Sequence, residues 1–233
     1  RLVGSEMCIR DRYNVASILA NLVDNNPNCF IFGYEKDGRT FVGASPEILV
    51  RHRGSEILSY ALAGTAPKHG PNAWTKEQLL TDKKNLFEHN IVRDRIVDIM
   101  KSITPEVIIG ETGIMELAHL YHLRTIITAK DSTKSLVEWA KLLHPTPALG
   151  GEPREKALAL LQKYEAHERG MYAAPFGFMK DMGDGIVIVA IRSALIMDKV
   201  LYAYAGCGVV ADSDADEEYA ETNNKMRTIL DAL

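Results

Sequence analysis

The sequence predicts an α+β fold, in which antiparallel hairpins and helices arrive in separate blocks rather than in strict alternation. Three observations carry that expectation. Short β-branched and aromatic runs between residues 30 and 63 are joined by tight-turn pairs. A long amphipathic stretch follows from Thr75, and residues 186–205 then return to strand-like runs before a closing helix. The 233 residues are 46% hydrophobic and 25% charged, which suits one large globular domain or two small ones. Net charge is −4 without a Lys/Arg run, so neither nucleic acid nor a membrane surface is an expected partner. No apolar run reaches the roughly 18 residues that span a bilayer. Cys8, Cys29 and Cys207 share no metal-ligand spacing and read as free thiols of a reducing compartment, the cytoplasm by default.

Residues 1–12 carry neither helical nor strand periodicity and read as a foreign or artefactual segment, which leaves residues 13–233 as the domain to be folded. Residues 13–23, with Val15, Ile18, Leu19 and Leu22 on one side, predict a short helix closed by Asn25-Asn26-Pro27-Asn28. Strands at 30–34 and 40–44 flank the turn Lys36-Asp37-Gly38. Strands at 47–52 and 57–63 flank Arg53-Gly54. Thr75 and Gln78 form a capping box for one helix running to about residue 100. A strand is expected at Val107–Ile109, and residues 113–128 are ambiguous. Ser135 and Glu138 cap a helix that His144-Pro145-Thr146-Pro147 stops. Pro153 opens a helix over Arg154–Tyr164. Residues 186–197 are apolar on both faces and predict one buried strand, turned at Asp198-Lys199 into Val200–Ala205. Ser213 with Asp216 is the expected cap of a closing helix whose inner stripe is Thr222, Met226, Ile229 and Leu233.

Several polar residues sit where this pattern asks for apolar ones. At about 100° per residue, Glu88 shares a wedge roughly 80° wide with Val92, Ile96, Ile99 and Ile103. It either lies at a wet helix end or needs a cation from elsewhere, because burying a lone carboxylate costs many kcal/mol. Arg192 poses the opposite problem inside the apolar run 186–197: its planar guanidinium fork calls for a carboxylate, from the protein or from a ligand. Glu218, Glu221 and Lys225 line up along the closing helix, either as a solvated face or as part of an oxygen-rich Mg²⁺ site to which Glu88 would contribute. Gly43-Ala44-Ser45-Pro46-Glu47 puts a carboxylate directly after a small-residue turn. Gly206-Cys207-Gly208 ends a strand with bare N–H groups; Val209-Val210 follows it, so it is not a nucleotide-binding glycine loop.

Seven blocks, taken in order, resemble the chorismate-utilising enzymes: FVGASPE at 41–47, LAGTA at 62–66, DKKNLFEH at 82–89, LHPTPALGG at 143–151, Ile191-Arg192, AGCGV at 205–209 and EYAET at 218–222. The resemblance runs from about residue 30 to the C-terminus. It implies two large antiparallel sheets flanked by helices, here incomplete, with chorismate as substrate and Mg²⁺ as cofactor. Glu47 is similar to the family's general acid, Glu88 and Glu221 to its metal ligands, and Glu218 to a neighbour of the metal. Arg192 and the backbone at Gly206 would hold a substrate carboxylate, with His122, Thr65 and Lys225 lining the same pocket.

Ala148-Leu149 in the proline-rich block is similar to the water-using members, those that convert chorismate to isochorismate for menaquinone or siderophore synthesis. That branch implies a monomer without a glutaminase subunit. Salicylate synthases and component I of anthranilate synthase are the alternative branches. The family's general-base lysine lies about fifty residues before the acid, which runs off the start of this chain, and Lys36 is a poor substitute. An inactive fragment is therefore the expectation to weigh against the enzyme.

Overall fold

The computed structural model describes residues 13–233 and the backbone of residues 5–10. Residues 1–4 and 11–12 of the stretch read as foreign lie outside the described residues. In chain order the elements are β1 (Ser5–Arg10), α1 (Val15–Asn25), β2 (Phe30–Lys36), β3 (Arg39–Ser45), β4 (Ile48–Arg53), β5 (Glu56–Pro67), α2 (Lys76–Thr81) and α3 (Lys83–Lys101). There follow β6 (Val107–Ile109), β7 (Gly113–Glu116), β8 (Leu120–Lys130), α4 (Leu136–Leu143), α5 (Pro147–Gly150) and α6 (Arg154–Tyr164). The last part is β9 (Pro175–Met179), β10 (Gly185–Val189), β11 (Ser193–Met197), β12 (Val200–Ala205) and α7 (Ala215–Leu230).

Two antiparallel sheets result. One has the order β1-β12-β11-β3-β2; the other runs β6-β8-β5-β4-β10-β9, with β7 paired to β8. Period-2 alternation explains how they stack. In β3, Val42 and Ala44 join Ile18 and Leu22 of α1 and Met226 and Ile229 of α7 on one face of the first sheet. Phe41 faces the other way, into a layer with Phe32, Ile188, Ala190 and Phe176 drawn from both sheets. The second sheet buries its far face against α3 and α4, through Ile57, Ile127, Val92, Ile96 and Trp139. The architecture is therefore α+β, with helices covering two facing antiparallel sheets. No helix among the described residues is long and apolar enough to cross a membrane.

The expected local signals mostly hold. Asp37 and Gly38 both take positive φ, 52° and 71°, as a two-residue hairpin turn requires. Both capping boxes, Thr75/Gln78 and Ser135/Glu138, are formed. Four expectations need correction. The helix from Thr75 is broken at Asp82, whose carboxylate accepts from the N–H of Asn85 and starts α3 as a new helix. Its buried stripe is Asn85, His89, Val92, Ile96, Val97 and Met100, so Glu88 sits half-buried on its flank. At the closing helix, Asp214 is the cap, accepting from the N–H groups of Asp216 and Glu217. A charged acceptor suits the positive end of a helix better than a hydroxyl does, and Ser213 is turned instead toward Glu218. Leu233 lies beyond the end of α7 and is exposed.

The fourth correction matters most. Residues 186–197 are not one strand: β10 ends at Val189 in the second sheet and β11 begins at Ser193 in the first. Arg192 lies in the crossover with φ 52°, a left-handed conformation that costs a non-glycine residue about 1–3 kcal/mol. The chain crosses between the same two sheets a second time, where β3 leads through Ser45-Pro46-Glu47 into β4. Strand β3 pairs with β11 and β4 with β10, so the two crossovers lie side by side. They are hydrogen-bonded to each other: Ala44 N–H donates to Arg192 O at 3.0 Å and Val189 N–H to Glu47 O at 3.1 Å.

Candidate active site

The paired crossovers bring together the two charged residues that looked misplaced in the sequence. Glu47 and Arg192 both line a cavity of about 70 Å³, with Thr65, Glu88, His122, Ala148, Leu149, Gly206 and Lys225. Glu218 and Glu221 are not among its lining residues. Glu47 is 2% exposed and its Oε1 has no hydrogen-bond partner among the described residues. Burial pushes its carboxyl up to about 8, against the opposing pull of Arg192 and Lys225. With its pKa near 8, this cavity-lining carboxyl is mostly protonated at neutral pH.

Arg192 is held by His122. Its Nη2 donates to His122 Nε2 at 2.7 Å, and because guanidinium has no acceptor, His122 must be the Nδ1–H tautomer. Nδ1 then donates to Thr65 Oγ1 at 3.0 Å. Burial and the cationic neighbours Arg192 and Lys225 hold His122 far below its ordinary value, so it stays neutral. Thr65 is placed by a bulge: the β5–β8 register shifts between Ala63 and Thr65, with Gly64 at φ 78°. The Thr65 N–H consequently donates to Asn85 Oδ1 at 2.8 Å, tying the bulge to α3.

On the far side of the cavity, Lys225 donates to Gly206 O at 3.0 Å and pairs with Glu221 Oε1 at 2.5 Å. Glu88 is pushed up to about 7, first by burial and then by the negative charges of Glu221 and Glu218. Gly208 permits that position, since a Cβ there would lie 2.5 Å from Glu88 Oε1. Glu218, 5% exposed, takes hydrogen bonds from Lys84 and Ser213; burial raises its carboxyl, but these bonds outweigh it and hold it below the usual range. The charges of Glu221 and Glu218 thus both reach Glu88, and carboxylate oxygens of this kind are the donors that a hard cation such as Mg²⁺ takes. As they stand, no three His, Cys, Asp or Glu side chains among the described residues are gathered tightly enough to hold a metal ion.

Sequence reasoning missed Glu165, Arg169 and Tyr172, which also line the cavity. Arg169 forks onto Glu165 through Nε and Nη2, at 2.9 and 2.7 Å, and donates from Nη1 to Leu149 O at 2.8 Å. The i,i+4 spacing of Glu165 and Arg169 was the available signal, though it lies past the end of a helix and resembles an ordinary surface pair. Tyr172 stacks on Tyr204 with ring centroids 5.5 Å apart.

Residues 5–233 match the family model described as chorismate binding enzyme. Over 225 residues the chain is 38% identical to isochorismate synthase MenF of Bacillus subtilis, covering 94% of this chain and 48% of that protein. The salicylate biosynthesis isochorismate synthase of Pseudomonas aeruginosa is 38% identical over 87% of this chain and 44% of its own length. Component 1 of anthranilate synthase from Arthrobacter globiformis is 32% identical, over 97% of this chain and 44% of that protein. Among solved structures, one described as a 2,3-dihydroxybenzoate-specific isochorismate synthase, DhbC from Bacillus anthracis, superposes with a TM-score of 0.93 at 30% identity. It covers 99% of this chain and 65% of that one. The menaquinone-specific isochorismate synthase MenF of Escherichia coli gives a TM-score of 0.87 at 29% identity, over 98% of this chain and 55% of that one. The chain spans about half the length of the curated relatives it matches. With nearly the whole sequence inside the family model and a fold shared with solved members, the chain belongs to the chorismate-binding enzymes.

Proposed function

We propose that this chain forms the catalytic site of an Mg²⁺-dependent isochorismate synthase. The observation that carries the reading is Glu47, a buried and mostly protonated carboxyl whose Oε1 has no partner among the described residues, in the same small cavity as a fixed guanidinium. Conversion of chorismate to isochorismate adds water at C2 while the C4 hydroxyl departs and the ring double bonds shift, with no change in oxidation state. Hydroxide is a poor leaving group, so a proton must reach the C4 oxygen as its bond breaks; a carboxylic acid with a raised pKa can give one. Glu47 is the group in the cavity suited to that donation.

Arg192 is preset for a substrate carboxylate: His122 occupies one edge of its fork and leaves the rest for an anion. Lys225 adds a second cation and the N–H groups around Gly206 add donors. Among the residues lining the cavity the lysine is Lys225, and Glu221 and Gly206 O already engage it, so we assign it to binding rather than to deprotonating water. Glu88 and Glu221 would hold Mg²⁺, with Glu218 beside them. Bound there, Mg²⁺ would withdraw electrons through a substrate carboxylate and offset the charge that builds during substitution. Ala148 and Leu149 would form part of the apolar wall of the same cavity. This reading places the protein in a reducing compartment, the cytoplasm, where free thiols such as Cys29 and Cys207 persist.

Incubation with chorismate and Mg²⁺, followed by chromatography of the products, tests the reading. Isochorismate is expected, formed with Mg²⁺ and not with chelator. Salicylate or anthranilate as the end product would overturn the branch, and failure to bind chorismate by calorimetry would overturn the site.

A further inference from the structure

The acidic cluster contains one lysine that the reading above does not use. Lys84 lies on α3 one turn before Glu88, so the two side chains share a face of that helix. Its Nζ reaches Glu218 Oε1 at 2.7 Å, linking α3 to a residue of α7 that is 134 positions away in sequence. The same Oε1 accepts from Ser213 Oγ at 2.6 Å. Glu218 is 5% exposed and is held by donors from three places: Lys84 on α3, Ser213 in the turn before α7, and the Cys207 thiol. Glu221 follows Glu218 by three residues, so whatever fixes Glu218 fixes the helical face on which Glu221 stands. Lys225 does not provide such a link, because it pairs with Glu221 within α7 itself.

We propose that Lys84 is a positioning residue of the cation site: acting through Glu218, it sets the α7 carboxylates opposite Glu88. The inference rests on the Mg²⁺ reading above. It also makes an expectation opposite in sign to that of simple charge counting. If Lys84 were only a nearby positive charge, its removal would leave the carboxylates more negative and tighten the hold on a cation. If it positions them, its removal loosens that hold although the net charge has become more favourable. Groups that orient metal ligands from behind typically contribute about 10–100-fold to metal affinity.

The experiment is calorimetric titration of the chain with MgCl₂ alone, without chorismate. Lys84→Met should weaken binding by about tenfold or more, and Lys84→Arg should recover most of it, because a guanidinium can donate to the same oxygen. Ser213→Ala, which removes the other donor to Glu218 Oε1, should weaken binding by less. Melting curves read by circular dichroism accompany each titration. Binding by Lys84→Met that equals or exceeds the parent's would overturn the inference while leaving the Mg²⁺ reading intact. If the parent itself takes up no Mg²⁺, it is the Mg²⁺ reading that fails. Should Lys84→Met not fold, parent-like binding by Ser213→Ala together with no loss in Lys84→Gln would overturn the inference in its place.

Discussion

Glu47 and Glu88 are both carboxyls raised by burial, to about 8 and about 7, yet their proposed roles ask for opposite protonation states. A proton donor must hold its proton, and a metal ligand must have lost it. Turnover should therefore follow a bell in pH, rising as Glu88 ionises near 7 and falling as Glu47 ionises near 8. More Mg²⁺ should move the rising limb to lower pH, because the cation competes with the proton at Glu88, and should leave the falling limb in place. Glu47→Gln should lower kcat by about 10²–10⁴-fold and abolish the alkaline limb. The same substitution has a readout in stability. Glu47 titrates at its ordinary value of 4.5 in the unfolded chain and at about 8 in the native one, so between those values the native state holds a proton that the unfolded state has released. Its contribution is complete below 4.5 and is lost as pH rises toward 8. Glutamine cannot titrate, so Glu47→Gln should melt with a weaker pH dependence than the parent across that window. An alkaline limb that survives in the variant would assign it to another group.

At the level of elements, the bulge at Gly64 and the crossover at Arg192 do for the site what regular strands cannot. Gly64 takes φ 78°, and a Cβ there would come within 3.0 Å of Asn85 O and of Leu123 Cδ1. Gly64→Ala should cost about 1–2 kcal/mol from the left-handed backbone alone, lowering the Tm by about 2–8 °C. Because the bulge aims Thr65 at His122, and His122 at Arg192, chorismate affinity should fall by more than the Tm loss explains. Calorimetry of unfolding and of binding would separate the two. Local signals of this kind differ in how far the sequence exposes them. The capping boxes at Thr75 and Ser135 were legible because both partners lie within one turn. The break at Asp82 was not, since the apolar pattern passes through it and a second cap competes with helix continuation. Arg192 was legible as a buried cation, but its crossover was hidden: Val189 and Leu195 face different apolar layers, and a strand buried on both sides has the same composition whether or not it changes sheets. The candidate site was readable mainly through the ordered blocks that resemble the family. Arg169, which no such block contained, became visible only when the fold set its guanidinium against Leu149 O.

For the molecule as a whole, the cavity is a seam between two sheets. Thr65 and His122 belong to strands of the second sheet, Gly206 follows the last strand of the first, and Glu47 and Arg192 sit on the two crossovers that join them. A ligand that bridges these groups binds only when both sheets are in place, so its binding free energy should add to the stability of the entire fold. At a chorismate concentration of about 100 Kd this amounts to about 2.7 kcal/mol, or a rise in Tm of about 5–10 °C for a domain of this size. Arg192→Gly separates the anchor from the scaffold. Glycine adopts φ 52° without the cost that arginine bears there, which offsets part of the lost hydrogen bond to His122 and of the space left by the side chain. Without ligand the variant should therefore melt within a few degrees of the parent. With chorismate it should show little of the rise, because the guanidinium proposed to meet the substrate carboxylate is gone. A full-sized rise in Arg192→Gly would mean that the carboxylate is held elsewhere, by Lys225 and the N–H groups at Gly206, and that the strained crossover serves the fold alone.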